Sequence, residues 1–514
     1  MPYIDSTVKP DDSRILEWWY NSLDCAVTLE VYDIIGPKPE AVDTYSFERG
    51  LQGVALEMML TGFRVDPHWR ATQILRLERE CARLQTALDL IAHEIWDKPL
   101  NPNSPAQLVE FFYRRLKLPE VWINQKGVRK LSTNREALEK LSDYYIAKPF
   151  INCIFALRGA KKQLGTLRAG VDPENLMGFP GIRFRSTFNV CGTETGRWAS
   201  SQNVWGRGGN QQNITDELRR TFVADPDHFL LYVDGEQAES RAVGFIHGEI
   251  FGDWTYLDAC ESGDLHTLVT KLVWDDLPWT GDPKKDRELA DQPFYRWFTY
   301  RDMAKRGGHG TNYYGTPPTM AKHLKVPKEL IERFQQKYFQ AFPAMRRWHT
   351  WVSGQLGRTS SITTFVGRER TFFGRATDDA TLRKAIAFEP QSAVGDIINE
   401  GGNRVWRRFP FLKPLAQIHD AFVFQVPGHP DDPHNQILLP QILDTFSVPI
   451  RSKRNPDRLL QIPSEAKVGW NWASTDPKCK TFSDGNPDGL SKWKGRDGRS
   501  RTEDPTASLL HRSI

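Results

Sequence analysis

Two segments roughly 190 residues apart carry acidic side chains whose setting suits metal chemistry. They are Val233-Asp234-Gly235-Glu236-Gln237-Ala238-Glu239-Ser240-Arg241 and Ile418-His419-Asp420. Each aspartate follows a short apolar run, 229–233 or 415–418, that is typical of a buried strand. Carboxylates at the ends of two such strands can meet at one sheet edge and hold two hard divalent cations. An Asx-turn or a helix cap is the alternative role for each of them.

A basic and aromatic stripe lies between these segments, in the run 301–315. Arg301, Lys305, His309 and Tyr313 recur at every fourth residue, so a helix would place them on one face. Two cations followed by two flat rings suit a triphosphate, then a sugar and a base. A solvated basic helix face is the alternative. Because Gly307, Gly308 and Gly310 each cost a helix about 1 kcal/mol, we expect this segment to move or to lie against a ligand.

A polar run precedes the first carboxylate. It comprises residues 193–203, with Arg197 near its centre, and then residues 210–214, which include Asn213. Its amides, hydroxyls and guanidinium suit sugars, phosphates and the acceptors that every base pair presents in the minor groove. A polar surface loop is the alternative interpretation.

Together these segments resemble the motifs of family A DNA polymerases, the DNA polymerase I type. Motif A, D-x-S-Q-x-E-x-R, is matched at Asp234, Gln237, Glu239 and Arg241, with Glu236 in place of Ser. Motif B, R-x3-K-x7-Y-G, is matched at Arg301, Lys305 and Tyr313, with Tyr314 where Gly is expected. Motif C, V-H-D-E, is matched at His419 and Asp420, with Ala421 in place of Glu. The T-G-R…S-S…Q-N-I run also matches, and the segment from Arg383 to Gln391 resembles a part that contacts primer and template.

The resemblance implies a DNA-directed DNA polymerase with two Mg²⁺ ions. Asp234, Asp420 and the carbonyl of Gly235 would hold the metals, with Asp234, Asp420, Lys305 and Arg301 as the catalytic group. The incoming dNTP would contact Gln237, Glu239, Arg301, Lys305, His309 and Tyr313, with Glu239 excluding the ribose 2′-hydroxyl and His309 standing where the family usually has Phe or Tyr. Primer-template DNA would contact Arg197, Asn213, Arg241, Arg383, Gln391, His419, Arg158 and Lys162, although a solvated helix face is equally open for Arg158 and Lys162.

The implied fold is α+β, a right-hand polymerase with an antiparallel-sheet palm, helical fingers and a helical thumb. Asp66-Pro67 is a helix start, and apolar residues then recur at spacings of three and four from Ile74 to Ile95. With a helical run over 135–162, this predicts a helical arm. The expected parts are an exonuclease remnant (1–50), thumb (51–180), first palm part (181–244), fingers (245–350), second palm part (351–475) and a disordered tail (476–514). A strand leading into a hairpin is expected at 363–368.

Composition agrees with this assignment. The chain of 514 residues has a net charge of +4 and an isoelectric point near 8.6, which suit a cleft that follows phosphates. Its six cysteines are scattered without a C-x-x-C pair, so neither disulfides nor structural zinc are expected. A reducing compartment is expected instead. No apolar run approaches the length of a membrane span, so no membrane partner is expected. The predicted location is the cytoplasm, that of the host cell if the enzyme is phage-encoded.

Tyr20 and Asp24 resemble the last motif, Y-x3-D, of the family's 3′–5′ exonuclease domain. One carboxylate cannot hold two nuclease metals, which predicts a polymerase without its own proofreading. A remnant, a site completed by a separate exonuclease subunit and a truncated sequence remain alternatives, and a processivity factor is a further candidate partner. Few accessory domains favour a phage replication enzyme over a repair enzyme.

Two rival classes of protein are open. A catalytically dead DNA-binding relative is disfavoured because Asp234 and Asp420 are both present. A single-subunit RNA polymerase is disfavoured by Glu239 and the T-G-R segment.

Overall fold

The computed structural model describes residues 13–36, 42–125, 128–173, 175–475 and 482–495, and it mixes helices with short antiparallel strands. The helices are α1 Ser13–Ile35, α2 Val42–Thr61, α3 Pro67–Trp96, α4 Pro105–Val109, α5 Arg135–Leu141, α6 Lys148–Arg168, α7 Asp216–Arg219, α8 Ala238–Phe251, α9 Thr255–Glu261, α10 Leu265–Val273, α11 Pro283–Ala290, α12 Tyr300–Asn312, α13 Pro317–Leu324, α14 Lys328–Ala341, α15 Ala344–Thr359, α16 Asp379–Arg408 and α17 Pro433–Phe446. The strands are β1 Phe63–Val65, β2 Trp122–Gln125, β3 Val128–Leu131, β4 Arg183–Phe184, β5 Thr187–Asn189, β6 Ala199–Ser201, β7 Phe222–Val223, β8 His228–Gly235, β9 Pro293–Tyr295, β10 Phe298–Thr299, β11 Ser361–Thr363, β12 Glu369–Thr371, β13 Lys413–Ile418, β14 Ala421–Pro427, β15 Ile450–Arg451, β16 Leu459–Leu460, β17 Ser464–Gly469 and β18 Ser491–Lys492. The expected α+β class is therefore confirmed.

The largest sheet has the order β13-β14-β8-β17-β18, with every neighbouring pair antiparallel. Strand β8 lies inside it, and Phe229, Leu230, Leu231 and Val233 are buried. A strand covered on both faces reads as a continuous apolar run, which is why this segment lacks the alternating pattern of a half-exposed strand. Helix α16 packs near this sheet, where Gly402 gives the ring of Phe422 room that a Cβ would occupy.

Two long helices, α3 and α6, pack along each other to form the core of a helical arm. Asp66 caps α3 by accepting a hydrogen bond from the Trp69 amide at 2.9 Å, with Pro67 in the first turn, as predicted. The helical run expected over 135–162 is two helices, α5 and α6, because the chain turns at 142–147. Helix α6 then continues past the predicted end to Arg168.

Two of the three glycines of α12 have close neighbours on other helices. Helix α12 is regular across all three of them. A Cβ at Gly307 would lie 2.7 Å from the Phe334 ring, and one at Gly310 would lie 2.7 Å from the terminal methyl of Met320. Close packing of this helix on its neighbours therefore accounts for Gly307 and Gly310, while movement or a ligand contact of the segment stays a prediction.

The end of the chain is more ordered than expected over 482–495. Strand β18 pairs with β17, and the buried side chains of Asn471 and Asn486 hydrogen-bond to each other at 2.8 Å. The prediction of a disordered tail is wrong for 482–495, whereas 476–481 and 496–514 lie outside the described residues.

The strand predicted at 363–368 is also corrected, because β11 ends at Thr363 and residues 364–368 form the turn of the hairpin. In the described ranges, no helix is long and apolar enough to cross a bilayer.

A buried carboxyl group on α16 makes stability depend on pH. Burial raises the pKa of Glu389 to about 8, and its Oε2 has no hydrogen-bond partner among the described residues. Because the folded-state pKa of Glu389 lies above the unfolded value, the protonated carboxyl contributes its full share of the free energy of unfolding below about pH 4.5. This contribution falls by at most about 1.4 kcal/mol per pH unit until the folded group also ionises.

We therefore predict that Glu389→Gln raises the free energy of unfolding relative to the parent by an amount that grows from pH 5 to pH 8. Urea denaturation at each pH measures this difference. Glu400→Gln on the same helix, where the parent carboxylate pairs with Arg404 near the surface, is the control and should show no such growth. A difference independent of pH would mean that Glu389 is ionised in the folded protein.

Candidate active site

The register of the largest sheet brings Asp234 and Asp420 together. Strand β13 reverses into β14 through His419 and Asp420, with Ile418 paired to Ala421 and His419 in the left-handed region at φ 52°. Ala421 is also the cross-strand partner of Asp234 at the end of β8. The Gly235 amide donates to the Asp420 carbonyl at 3.1 Å, which ties the two segments directly.

The two carboxylates occupy a poorly solvated position. Burial raises the pKa of Asp234 to about 6, with further upward contributions from Asp420 and Glu465 and an opposing one from Lys467. Burial likewise raises the pKa of Asp420, against the influence of Arg197. Burial and neighbouring anions disfavour the ionised forms, so a cation bound here would relieve an existing electrostatic cost.

The residues present fit a divalent metal. Carboxylate oxygens together with the Gly235 carbonyl are the hard donors that Mg²⁺ prefers. No group of three or more His, Cys, Asp or Glu side chains in the described ranges forms a ready cage. That arrangement suits a metal that keeps waters and takes further ligands from substrate phosphates.

Glu465 was missed by the sequence analysis. It is the β17 partner of Asp234, as Ala421 is the β14 partner, so these three residues form one cross-strand row. Directly opposed residues of antiparallel strands project from the same face. Asp234 therefore has the Glu465 carboxylate on one side and Ala421 on the other. Ala421 is the position at which the family motif has Glu. Only the strand pairing reveals this, because Glu465 lies in no recognisable motif.

Arg197 contacts two of the predicted site residues, and one of these contacts a third. Its Nη2 donates to Glu239 Oε1 at 2.5 Å and lies 3.3 Å from Asp420 Oδ1. The Tyr313 hydroxyl donates to Glu239 Oε2 at 2.5 Å, and burial and then Glu239 hold the pKa of Tyr313 well above its usual value. The residue before Arg197 must be glycine, because the φ of Gly196 is 72° and a Cβ there would lie 2.6 Å from the Arg368 guanidinium. The polar run, motif A, motif B and motif C thus converge on one cluster.

Arg301, Lys305 and His309 lie on α12 as predicted, whereas Tyr313 follows Asn312, the last residue of this helix. Thr299 caps this helix, and Arg301 makes two bonds to Asp264, Nε to Oδ2 at 2.8 Å and Nη2 to Oδ1 at 2.9 Å. Lys305 and His309 are exposed, and the His309 ring lies 4.8 Å from that of Tyr313, nearly edge-on.

Asp264 and His266 also belong to this site, although the sequence analysis did not identify them. Asp264 caps α10 and accepts hydrogen bonds from Thr267 and Arg287 in addition to those from Arg301. Burial lowers the pKa of His266 to about 4, and the charges of Arg301 and Lys305 act in the same direction. The signal available in the sequence was Asp264-Leu-His-Thr, a helix start that places a histidine near the capping carboxylate.

Two predicted DNA contacts are corrected. Arg241 is buried, and its Nη2 donates to the Cys260 carbonyl at 3.1 Å, so it joins helices inside the protein. Arg158 donates from Nε and Nη2 to the Pro102 carbonyl at 2.9 and 2.6 Å, so its guanidinium holds the arm together. Neither is a free surface cation.

The other predicted contacts remain accessible. Asn213, His419 and Lys162 are exposed, Arg383 and Gln391 are half-buried on α16, and Gln237, in the left-handed region at φ 54°, donates to the Gly263 carbonyl. The described cysteines, Cys25, Cys81, Cys153, Cys191 and Cys260, are free thiols, and Cys479 lies outside the described residues.

The chain belongs to DNA polymerase family A, whose family model matches residues 71–472. Similar proteins include the thermostable DNA polymerase I of Thermus aquaticus, 27% identical over 74% of this chain and 43% of its own length. The DNA polymerase I of Caldicellulosiruptor bescii is 26% identical over 84% of this chain and 47% of its own length. The chain thus spans less than half the length of these relatives.

A solved structure confirms the right-hand polymerase fold. The POL domain of Pol1 from M. smegmatis, in complex with DNA primer-template and dNTP, matches with a TM-score of 0.62. The match covers 82% of this chain and 69% of that one, at 22% identity.

Proposed function

We propose that this chain is a template-directed DNA polymerase that adds dNTPs to a primer 3′-hydroxyl. The observation that carries the proposal is the pairing of Asp234 with Ala421, which places Asp234 beside Asp420 in a poorly solvated position. Family membership and the primer-template and dNTP bound to the M. smegmatis relative support the same activity.

In this proposal, Asp234, Asp420 and the Gly235 carbonyl hold two Mg²⁺ ions. When bound, such ions supply activation of the attacking hydroxyl and stabilisation of the departing pyrophosphate. Arg301 and Lys305 neutralise the triphosphate as negative charge grows, and Lys305 protonates the leaving group. His309 and Tyr313 continue the same helix face toward the sugar and the templating base.

Glu239 sets the choice of sugar. Arg197 and Tyr313 hold both of its carboxylate oxygens, so the side chain has a fixed position. A fixed carboxylate next to the sugar excludes a ribose 2′-hydroxyl by crowding. Gln237 lies at the start of the same helix, α8, and completes the proposed dNTP contacts.

The DNA follows the remaining polar and basic side chains. In this proposal Arg197, Asn213 and His419 contact the primer end, and Arg383, Gln391 and Lys162 contact the strands nearby, since all six side chains are exposed or half-buried. We assign residues 51–180 to the thumb, 181–244 and 351–475 to the palm, and 245–350 to the fingers. Watson–Crick pairing supplies sequence selection, so these contacts read shape and backbone.

We further propose that the chain acts in phage DNA replication in the host cytoplasm, without intrinsic proofreading. Tyr20 and Asp24 stand exposed on α1. A separate exonuclease subunit or a processivity factor remains a candidate partner.

The metal assignment predicts the effect of Asp420→Asn. Primer extension with Mg²⁺ should fall by several orders of magnitude because one of two metal-holding carboxylates is lost, while primer-template affinity should stay within about twofold. Asp431→Asn, an exposed aspartate beyond β14, is the control and should extend normally. Parallel loss of DNA affinity would instead show that Asp420 is structural, and an inactive parent would refute the proposed function.

The sugar assignment predicts that Glu239→Ala increases the use of rNTPs relative to dNTPs. The ratio of the two kcat/KM values, measured on one primer-template, should shift by about tenfold or more toward rNTPs. Glu236→Ala removes a neighbouring carboxylate that is not bonded to Arg197, and this change should leave the ratio unchanged. If Glu239→Ala also leaves it unchanged, Glu239 does not exclude the 2′-hydroxyl.

We also propose that Asp264 positions Arg301 for the triphosphate. Asp264→Asn keeps an oxygen to cap α10 but loses the charge and one of the two acceptors for Arg301. KM for dNTP should rise by about tenfold, with a smaller change in kcat, because the guanidinium is no longer held in one orientation. Asp282→Asn, which alters another helix-capping aspartate, at α11, is the matched control. A lower KM would show that Asp264 competes with the triphosphate instead.

A further inference from the structure

A loop tip beside the proposed DNA path presents apolar side chains to solvent. The tip lies between β6 and the helical turn Gln211–Asn213, and Val204 and Trp205 are 88% and 76% exposed. Trp198, Trp348 and Trp472, by contrast, are buried in the core. A large aromatic ring held in water at a loop tip suggests a contact with a partner.

The tip is a built turn. Asn203 Oδ1 accepts hydrogen bonds from the amides of Trp205 at 3.1 Å and Arg207 at 3.0 Å, and the Gly206 amide donates to the Asn203 carbonyl at 2.9 Å. Gly208 has φ 73°, and a Cβ there would lie 2.0 Å from the Arg185 carbonyl oxygen. The indole is therefore presented from a backbone with a fixed shape, which lowers the entropic cost of a contact.

One side of this loop is joined to the catalytic segment. Ser200 Oγ donates to Gln212 Oε1 at 2.5 Å, which ties the two legs of the loop together. Gln212 Nε2 in turn donates to the Gln417 carbonyl at 3.4 Å, three residues before Asp420. The loop thus starts and ends in the polar run that we assign to primer-template contacts.

The other side of the loop is joined to the foot of the arm. The Gly208 amide donates to the Gly170 carbonyl at 2.8 Å, just after α6 ends. Arg207 Nη1 pairs with Asp172 at 2.8 Å, so its charge is partly satisfied by the protein. The tip therefore lies between the segment that ends in Asp420 and the foot of the arm, which are the parts that flank the primer-template in the proposed function.

We infer that Trp205 contacts the product duplex, with its ring packed against sugars and base edges in the minor groove. This inference rests on the proposed polymerase function. An uncharged ring suits this surface, because sugars offer apolar faces, and the minor groove accepts apolar side chains from proteins of many folds. The contact is independent of base sequence and adds to the electrostatic grip of the basic residues.

The salt dependence of DNA affinity separates this role from a phosphate contact. We expect Trp205→Ala to weaken binding of a primer-template duplex by about tenfold, a loss typical of one aromatic contact with a nucleotide. The slope of log Kd against log salt concentration should equal that of the parent, because no counterion-releasing cation is removed. Trp205→Phe, which keeps a ring, should restore most of the affinity.

Fluorescence anisotropy with a labelled primer-template over a series of salt concentrations measures both quantities. Trp297→Ala is the matched control, because Trp297 is 63% exposed in the turn between β9 and β10, away from this loop. Thermal unfolding of the Trp205 variants should match that of the parent, since an exposed ring contributes little packing.

Two results with the primer-template would overturn the inference: affinity of Trp205→Ala equal to that of Trp297→Ala, or a reduced salt slope. The loss should also be seen with duplex and be much smaller with single-stranded template, and equal losses on both would refute a duplex contact. If the parent itself neither binds primer-template nor extends it, the proposed function fails rather than the assignment of Trp205.

Discussion

The antiparallel pairing of β8 with β14 is the constraint on which the site depends. It places Asp234 opposite Ala421 and so brings Asp234 beside Asp420, in surroundings that disfavour charge. A shift of one residue in this pairing would turn the carboxylate of Asp234 to the opposite face of the sheet. The apolar residues of β8, buried on both faces, fix the register, so the hydrophobic core itself determines the geometry of the charged site.

The cations around these anions are distributed over several elements. Arg197 from the polar run reaches Glu239 and Asp420, and Lys467 on β17 opposes the rise in the pKa of Asp234. Arg301 is already engaged with Asp264. Arg197 and Arg301 each have a carboxylate partner within the protein, so substrate binding at these two groups exchanges one set of charge contacts for another without first desolvating a bare ion.

The motifs allowed the family, the sheet and the central cluster to be predicted, because their chemistry is carried by side chains at fixed short spacings. Glu465 and Asp264 were not found, since their importance arises from strand pairing and from an ion pair to α12. Arg158 and Arg241 were misassigned for the same reason: a guanidinium looks identical in sequence whether it meets solvent or a buried carbonyl. The glycines of α12 suggested movement or a ligand contact, and the sequence could not reveal that Gly307 and Gly310 also face Phe334 and Met320 on other helices.

The short strand β18 has a consequence for the solubility of the folded chain. It covers the edge of β17, whose backbone amides and carbonyls next to Lys467 and Val468 would otherwise be open to pairing with another molecule. The Trp493 amide extends this cover by donating to the Ala466 carbonyl. A chain shortened before this strand would keep Asp234 and Asp420 yet present an unpaired sheet edge, and self-association by strand addition would compete with the proposed binding of DNA.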